Sequence, residues 1–194
     1  MLAGLAVAPT ASWDYWTRLV FEERRVGLAD AILNQSLRSA ALRLHWSAAV
    51  WLVAVVVTAA AGAAASVRLE ARGYRLLSVG VFALTGLLVA PISWIHHWVW
   101  AALVAVALLM AAWKGRRSAW RLILAVAAGL WLVAFMTWPF KLQVASWLPV
   151  SLQGWAGQLY VVAGLAAVAV AGVAALRMPA VEDQVSEQPP RRTQ

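Results

Sequence analysis

In a chain that is 63% hydrophobic and 12% charged, polar side chains able to do chemistry stand out singly. Two of the three histidines are neighbours, in the stretch Ala90-Pro91-Ile92-Ser93-Trp94-Ile95-His96-His97-Trp98-Val99-Trp100. An imidazole can donate a hydrogen bond to an anionic group such as a phosphate. Adjacent residues on a helix diverge by about 100°, so only one of His96 and His97 faces a given cavity. The plainer reading of the same spacing is an interfacial histidine inside an aromatic belt, because tryptophans gather at the bilayer edge in any case. A metal site has less behind it. No carboxylate lies near the pair in sequence, and the absence of cysteine removes thiolate ligands, disulfides and thiol chemistry.

A second polar group is Asn34-Gln35-Ser36, with Arg38 two residues on. Amide and hydroxyl side chains suit sugar hydroxyls, but the same residues are common helix caps. Asn34-Gln35-Ser36 also fits an N-glycosylation acceptor, a short pattern with many false matches. The carboxylates nearby are Asp14, Glu22, Glu23 and Asp30. Any could act as a general base, but Glu22 and Glu23 are expected to pair with Arg24 and Arg25 on a solvated face. No glycine-rich phosphate loop or Ser/His/Asp order is present.

The elements that must hold these groups are read from the apolar runs. A mean hydropathy of +0.75 over 194 residues marks an integral membrane protein. Five spanning candidates, 47–67, 76–94, 98–113, 121–138 and 157–176, each approach the ~20 residues a bilayer needs. The expected fold is therefore all-α: a polytopic bundle of about five transmembrane helices over 47–176, preceded by short interfacial helices in 1–46 and followed by a disordered tail, 177–194. In the N-terminal part, Ser12 is expected to cap a helix with Trp13, Trp16 and Val20 on one face and Asp14 one turn from Arg18. A second helical pattern is expected to open at Asn34, with Leu33, Leu37, Ala41 and Leu44 on its stripe and Arg38 and Arg43 off it. The small-residue runs 59–66 and 163–175 suit close helix packing.

The formal charge of +8 does not point to nucleic acid, since the basic residues cluster between apolar runs instead of forming a stripe with interleaved aromatics. Arg68, Arg72 and Arg75 lie in one connector, Lys114, Arg116, Arg117 and Arg121 in another, and Arg177, Arg191 and Arg192 in the tail. The positive-inside rule puts these in the cytoplasm and the histidine stretch outside a plasma membrane crossed several times. Five arginines before residue 47 argue mildly the other way.

Three blocks together, Ser12-Trp13-Asp14-Tyr15-Trp16, Asn34-Gln35-Ser36-Leu37 and the run from Pro91 to Trp100, carry a resemblance to the bacterial polytopic mannosyltransferases of glycosyltransferase family 87, of the GT-C type. The histidine block is the most specific of the three, and Ser39 stands where glycine is expected in many relatives. The resemblance implies a partial GT-C-like fold and transfer of mannose, with inversion, from a polyprenyl-phosphate-mannose donor to a cell-envelope glycolipid or lipoglycan. No cofactor and no metal are expected. A leaving phosphate needs hydrogen-bond donors. On this resemblance, His96 and His97 are the candidates for the donor phosphate, with Trp94 and Trp98 as apolar walls for prenyl chain or sugar. Asn34, Gln35 and Ser36 would position a hydroxyl or order the cavity roof, and Arg38 would assist an anionic headgroup.

The resemblance covers only the second half of the family's length. The family's early outer loop with its essential aspartate has no counterpart among residues 10–46, so no catalytic residue is assigned. The expectation is a C-terminal half, inactive alone, with 1–8 the end of a lost span and a separately encoded N-terminal half as one route to a complete site. Two readings of other classes stand beside it. One is a non-catalytic membrane interaction protein or remnant. The other is a small transporter, disfavoured because no paired charge or inverted repeat lies within the spans.

Overall fold

The computed structural model describes residues 2–19, 22, 25, 27–114, 123, 125–126, 128–130, 146–178 and 180. Regular structure among them is helical, apart from an isolated antiparallel bridge between Asn34 and Trp94. The helices are α1 (Leu2–Val7), α2 (Pro9–Thr17), α3 (Leu37–Arg43), α4 (Ala48–Ala71), α5 (Arg75–Val89), α6 (Trp100–Lys114), α7 (Val150–Ala156) and α8 (Leu159–Arg177), with a 3-10 turn at Ile95–Val99 ahead of α6.

The N-terminal helices depart from the sequence pattern. α2 begins at Pro9, because proline has no N–H to satisfy in a first turn, and this places Ser12 inside the helix instead of at its cap. The Asp14–Arg18 pair forms at 2.9 Å, and Glu22 adds a contact to Arg18 at 3.7 Å. Glu23, Arg24 and Val20 lie outside the described residues. α3 starts at Leu37, later than the stripe suggested. Ser36 caps it by accepting the Ser39 N–H, and Leu33 is left outside at 39% exposure.

Ser47 caps α4 by accepting the Val50 N–H. Gly73, at φ 82, ends it in a turn that a side chain would resist. α4 has 24 residues and α8 has 19, about 36 and 28 Å at the helical rise, so both match a hydrocarbon core of about 30 Å. The outward face of α4 carries Val50, Leu52, Val53, Val56 and Val57, all more than half exposed, a surface suited to lipid tails. α5 and α6 are apolar but have only 15 residues each. The helix of the 76–94 candidate ends five residues early, at Val89, because Pro91 forces Ala90 into an extended conformation (φ −60, ψ 143). The 121–138 candidate lies mostly outside the described residues, and its positions 123, 125–126 and 128–130 are helical.

α4 and α5 form an antiparallel hairpin. Ser78 of α5 donates to the Ser66 carbonyl of α4 at 2.9 Å, and Gly62 lets the Thr85 side chain press against the α4 backbone. α6 runs back along α5 with Val104 over Gly80, and α8 enters beside the end of α5 with Gly164 against Leu88. α5 runs opposite to α4, α6 and α8, so Arg68, Arg72, Arg75, Arg177 and the end of α6 at Lys114 gather at one end of the bundle. The 3-10 turn, α3 and the start of α8 gather at the other.

Candidate functional site

Pro91 creates the site by ending α5. The chain then runs extended through Ser93 and Trp94 and lies antiparallel to residues 33–35. The Gln35 N–H donates to the Ser93 carbonyl at 2.8 Å, and the Ile95 N–H to the Leu33 carbonyl at 3.1 Å. The two motif blocks separated by more than fifty residues are therefore one substructure.

Asn34 is its centre and has no exposure. Its Nδ2 donates to the Ala29 carbonyl at 2.8 Å and the Pro91 carbonyl at 3.2 Å, while its Oδ1 accepts the Ser93 N–H at 2.8 Å. Ser36 donates to the Pro91 carbonyl at 3.1 Å as well as capping α3. Gln35 donates to the Ile32 carbonyl at 2.8 Å and to the Gly157 carbonyl, ahead of α8, at 3.1 Å. Its Oε1 is buried without a partner. The Asn34 carboxamide, the Gln35 Nε2 and the Ser36 hydroxyl are turned to backbone groups that would otherwise be buried unsatisfied. Burial of Asn34 also takes away the N-glycosylation pattern, whose acceptor nitrogen must be accessible.

Three residues with no site role assigned from the sequence, Arg43, Gln158 and Ser93, complete the clasp. Arg43 donates through Nη1 to the carbonyls of Ala31 and Asn34, both at 2.9 Å, and to Ser39 Oγ. Its Nη2 donates to Gln158 Oε1 at 2.8 Å. Burial pulls the Arg43 pKa down to about 10, with Asp30 acting in the opposite sense. Gln158, almost fully buried, stands immediately before α8, and Ser93 donates to the Leu87 carbonyl at 2.6 Å. The available signal was the charge of Arg43 at the end of a short helix, but its partner Gln158 comes from a distant segment.

The clasp carries the twin histidines. His96 and His97 sit in the 3-10 turn, not on an α-helix, and both side chains are exposed. Their rings meet edge to face with centroids 4.3 Å apart, and the His97 N–H donates to the Trp94 carbonyl at 2.8 Å. Partial burial, and secondarily the charge of His96, hold the His97 pKa below its ordinary value. Trp98 does not share that exposure. It is fully buried, 5.5 Å from the Tyr160 ring and seated over Gly164, where a Cβ would fall 2.8 Å from it. Trp94, half-buried, lies over Gly27, whose φ of 140 and bare Cα leave room for the indole. The structure thus brings His96, His97, Trp94, Asn34, Gln35 and Ser36 together and turns Trp98 into the core. Arg38 lies on α3 with its guanidinium over Trp51 at 4.7 Å. Among the described residues, no group of three His, Asp or Glu could hold a metal.

Apolar helices of spanning length, joined at one end by a buried polar clasp under two exposed imidazoles, define an all-α membrane protein. The chain matches the family model of glycosyltransferase family 87 over residues 1–91. It is 33% identical over 179 residues to the polyprenol-phosphate-mannose-dependent alpha-(1-2)-phosphatidylinositol mannoside mannosyltransferase of Mycobacterium tuberculosis, covering 89% of this chain and 41% of the relative. A match of that extent necessarily includes the histidine stretch. The enzyme of the same name from Mycolicibacterium smegmatis is 37% identical over 143 residues, covering 66% of this chain and 31% of that protein. A Mycobacterium tuberculosis phosphatidylinositol pentamannoside mannosyltransferase is 35% identical over 161 residues, covering 78% and 36%. The chain thus spans less than half the length of these relatives. No solved structure matches it.

Proposed function

We propose that this chain forms the donor-lipid end of a mannosyltransferase that moves mannose from a polyprenyl-phosphate donor to a phosphatidylinositol mannoside or related envelope glycolipid. The observation that carries the reading is the clasp. Asn34, Gln35 and Ser36 hold the Pro91–Ser93 bend so that His96 and His97 project from a rigid turn at one end of an apolar bundle. Imidazole N–H groups fixed at that depth suit a phosphate leaving group, because prearranged donors need no reorganisation as charge develops. In this reading Asn34, Gln35 and Ser36 order the roof of the site rather than touch sugar. The arginine end lies in the cytoplasm and the histidine turn faces the outer side.

The test is a graft. This chain replaces the aligned part of the Mycobacterium tuberculosis relative, and membranes are assayed for transfer of radiolabelled mannose from polyprenyl phosphate to phosphatidylinositol mannoside. Transfer well above the host background is expected. A graft that reaches the membrane at the relative's abundance and transfers nothing overturns the reading.

A further inference from the structure

We propose that Arg38 and Trp51 form a seat for the phosphodiester of an anionic membrane phospholipid, separate from the histidine turn. The proposal rests on the reading that this end of the bundle handles lipid substrates, and it names the group that would fix an acceptor's headgroup. Arg38 projects from α3 with its guanidinium carbon 4.7 Å from the Trp51 ring centroid. Trp51 is in the first turn of α4, one turn after the Ser47 cap, at the depth where a spanning helix meets headgroups. The ring accounts for part of the attraction on the cation but supplies no acceptor in line with its N–H bonds. Arg38 Nε and Trp51 Nε1 are both buried without a hydrogen-bond partner.

The ion pairs among the described residues are Arg18 with Asp14 and Glu22, and Arg75 with Glu70; none involves Arg38. Arg43, five residues along the same helix, has its Nη groups taken up by carbonyls, Ser39 and Gln158. Arg38 as a whole is only partly buried, so it reaches the surface with its charge uncompensated. Two N–H donors on one stacked pair of side chains, one of them cationic and neither given an acceptor, match the oxygens of a phosphodiester. The neighbouring surface argues for a lipid over a free anion. Val50, Leu52 and Val53 continue outward from the Trp51 turn as an exposed apolar face along which acyl chains can lie.

The experiment measures binding to the purified full chain in an uncharged detergent, by native mass spectrometry, of dihexanoyl-phosphatidylinositol, dihexanoyl-phosphatidylcholine and inorganic phosphate. Phosphatidylinositol should bind most tightly. Arg38→Gln should weaken it about tenfold, the scale of a lost charge-assisted hydrogen bond, and Arg38→Lys less. Trp51→Phe keeps an aromatic ring under the guanidinium and removes only the indole N–H. A purely structural stack predicts no change in that variant, whereas the seat predicts weaker binding. Parental affinity in both Arg38→Gln and Trp51→Phe, or inorganic phosphate competing as well as the lipid, overturns the proposal. Transfer is not read and the histidine turn is intact throughout, so failure here is distinct from failure of the graft.

Discussion

Asn34 Oδ1 accepts the Ser93 N–H at 2.8 Å across 59 residues of sequence, while Asn34 Nδ2 donates to Pro91 on the same bend. One carboxamide therefore satisfies both edges of a turn that has left its helix and would otherwise carry bare backbone groups into an apolar setting. Asn34→Ala removes three hydrogen bonds from a site with no exposure. It should cost about 2–4 kcal/mol, since partners left unsatisfied cost more than the bond itself. Thermal denaturation in detergent checks this. A melting temperature within a degree or so of the parent's would show that the bend does not depend on Asn34.

Gly164 is where α8 makes room for Trp98, and a Cβ there falls 2.8 Å from the indole. Gly164→Ala should destabilise by about 1–3 kcal/mol through overpacking, with the strain falling on the 3-10 turn that carries the histidines. The same melting assay measures it. An unchanged or raised melting temperature would mean that the indole is free to shift.

His96 and His97 should not be equivalent. Both are exposed, and burial holds the His97 pKa below its ordinary value. In the grafted enzyme, His97→Ala is expected to raise KM for the polyprenyl-phosphate donor about tenfold, as loss of a charge-assisted bond would, and His96→Ala to raise it less. Parental kinetics in both variants would remove the phosphate role.

The His97 shift also fixes a pH dependence. Its folded-state pKa lies below its ordinary value, so protonation disfavours the fold. Where the unfolded chain binds more protons, stability rises with pH. The contribution of His97 is therefore absent above about pH 6.5 and becomes a growing penalty as pH falls from there towards the lowered value. Melting of the parent and of His97→Gln between about pH 8 and pH 5 should diverge at the acid end, the parent losing more. Parallel curves would contradict the shift.

Orientation can be read with single cysteines, because the chain has none of its own. Ser47→Cys sits at the clasp end and Ala71→Cys at the arginine end, and both positions are exposed. In intact cells a membrane-impermeant maleimide should label the first and reach the second only after lysis. The reverse pattern would invert the proposed topology.

The apolar runs were legible because a spanning helix announces itself by composition alone. The break at Pro91 was visible as a residue but not in its effect on helix length: the 76–94 run stays apolar beyond the point where the backbone can no longer be helical. Ser36 was readable as a cap because capping is a local, three-residue matter. The clasp was not readable. Arg43 and Gln158 lie 115 residues apart, and neither carries a local sign that the other will satisfy it. A helical stripe locates apolar faces, whereas the partner of a buried polar atom is decided by which helix ends meet. Gly27 and Gly164 are similar cases, since their meaning lies in the indoles of Trp94 and Trp98 that rest on them.

The reciprocal backbone bonds from Gln35 to Ser93 and from Ile95 to Leu33 make a loop and a bend into one mechanical part. Neither strand of that small seam can fray alone without stranding the amides of the other. Their protons should exchange with solvent on a common timescale, and a displacement of the imidazole turn is passed across the seam to the start of α3.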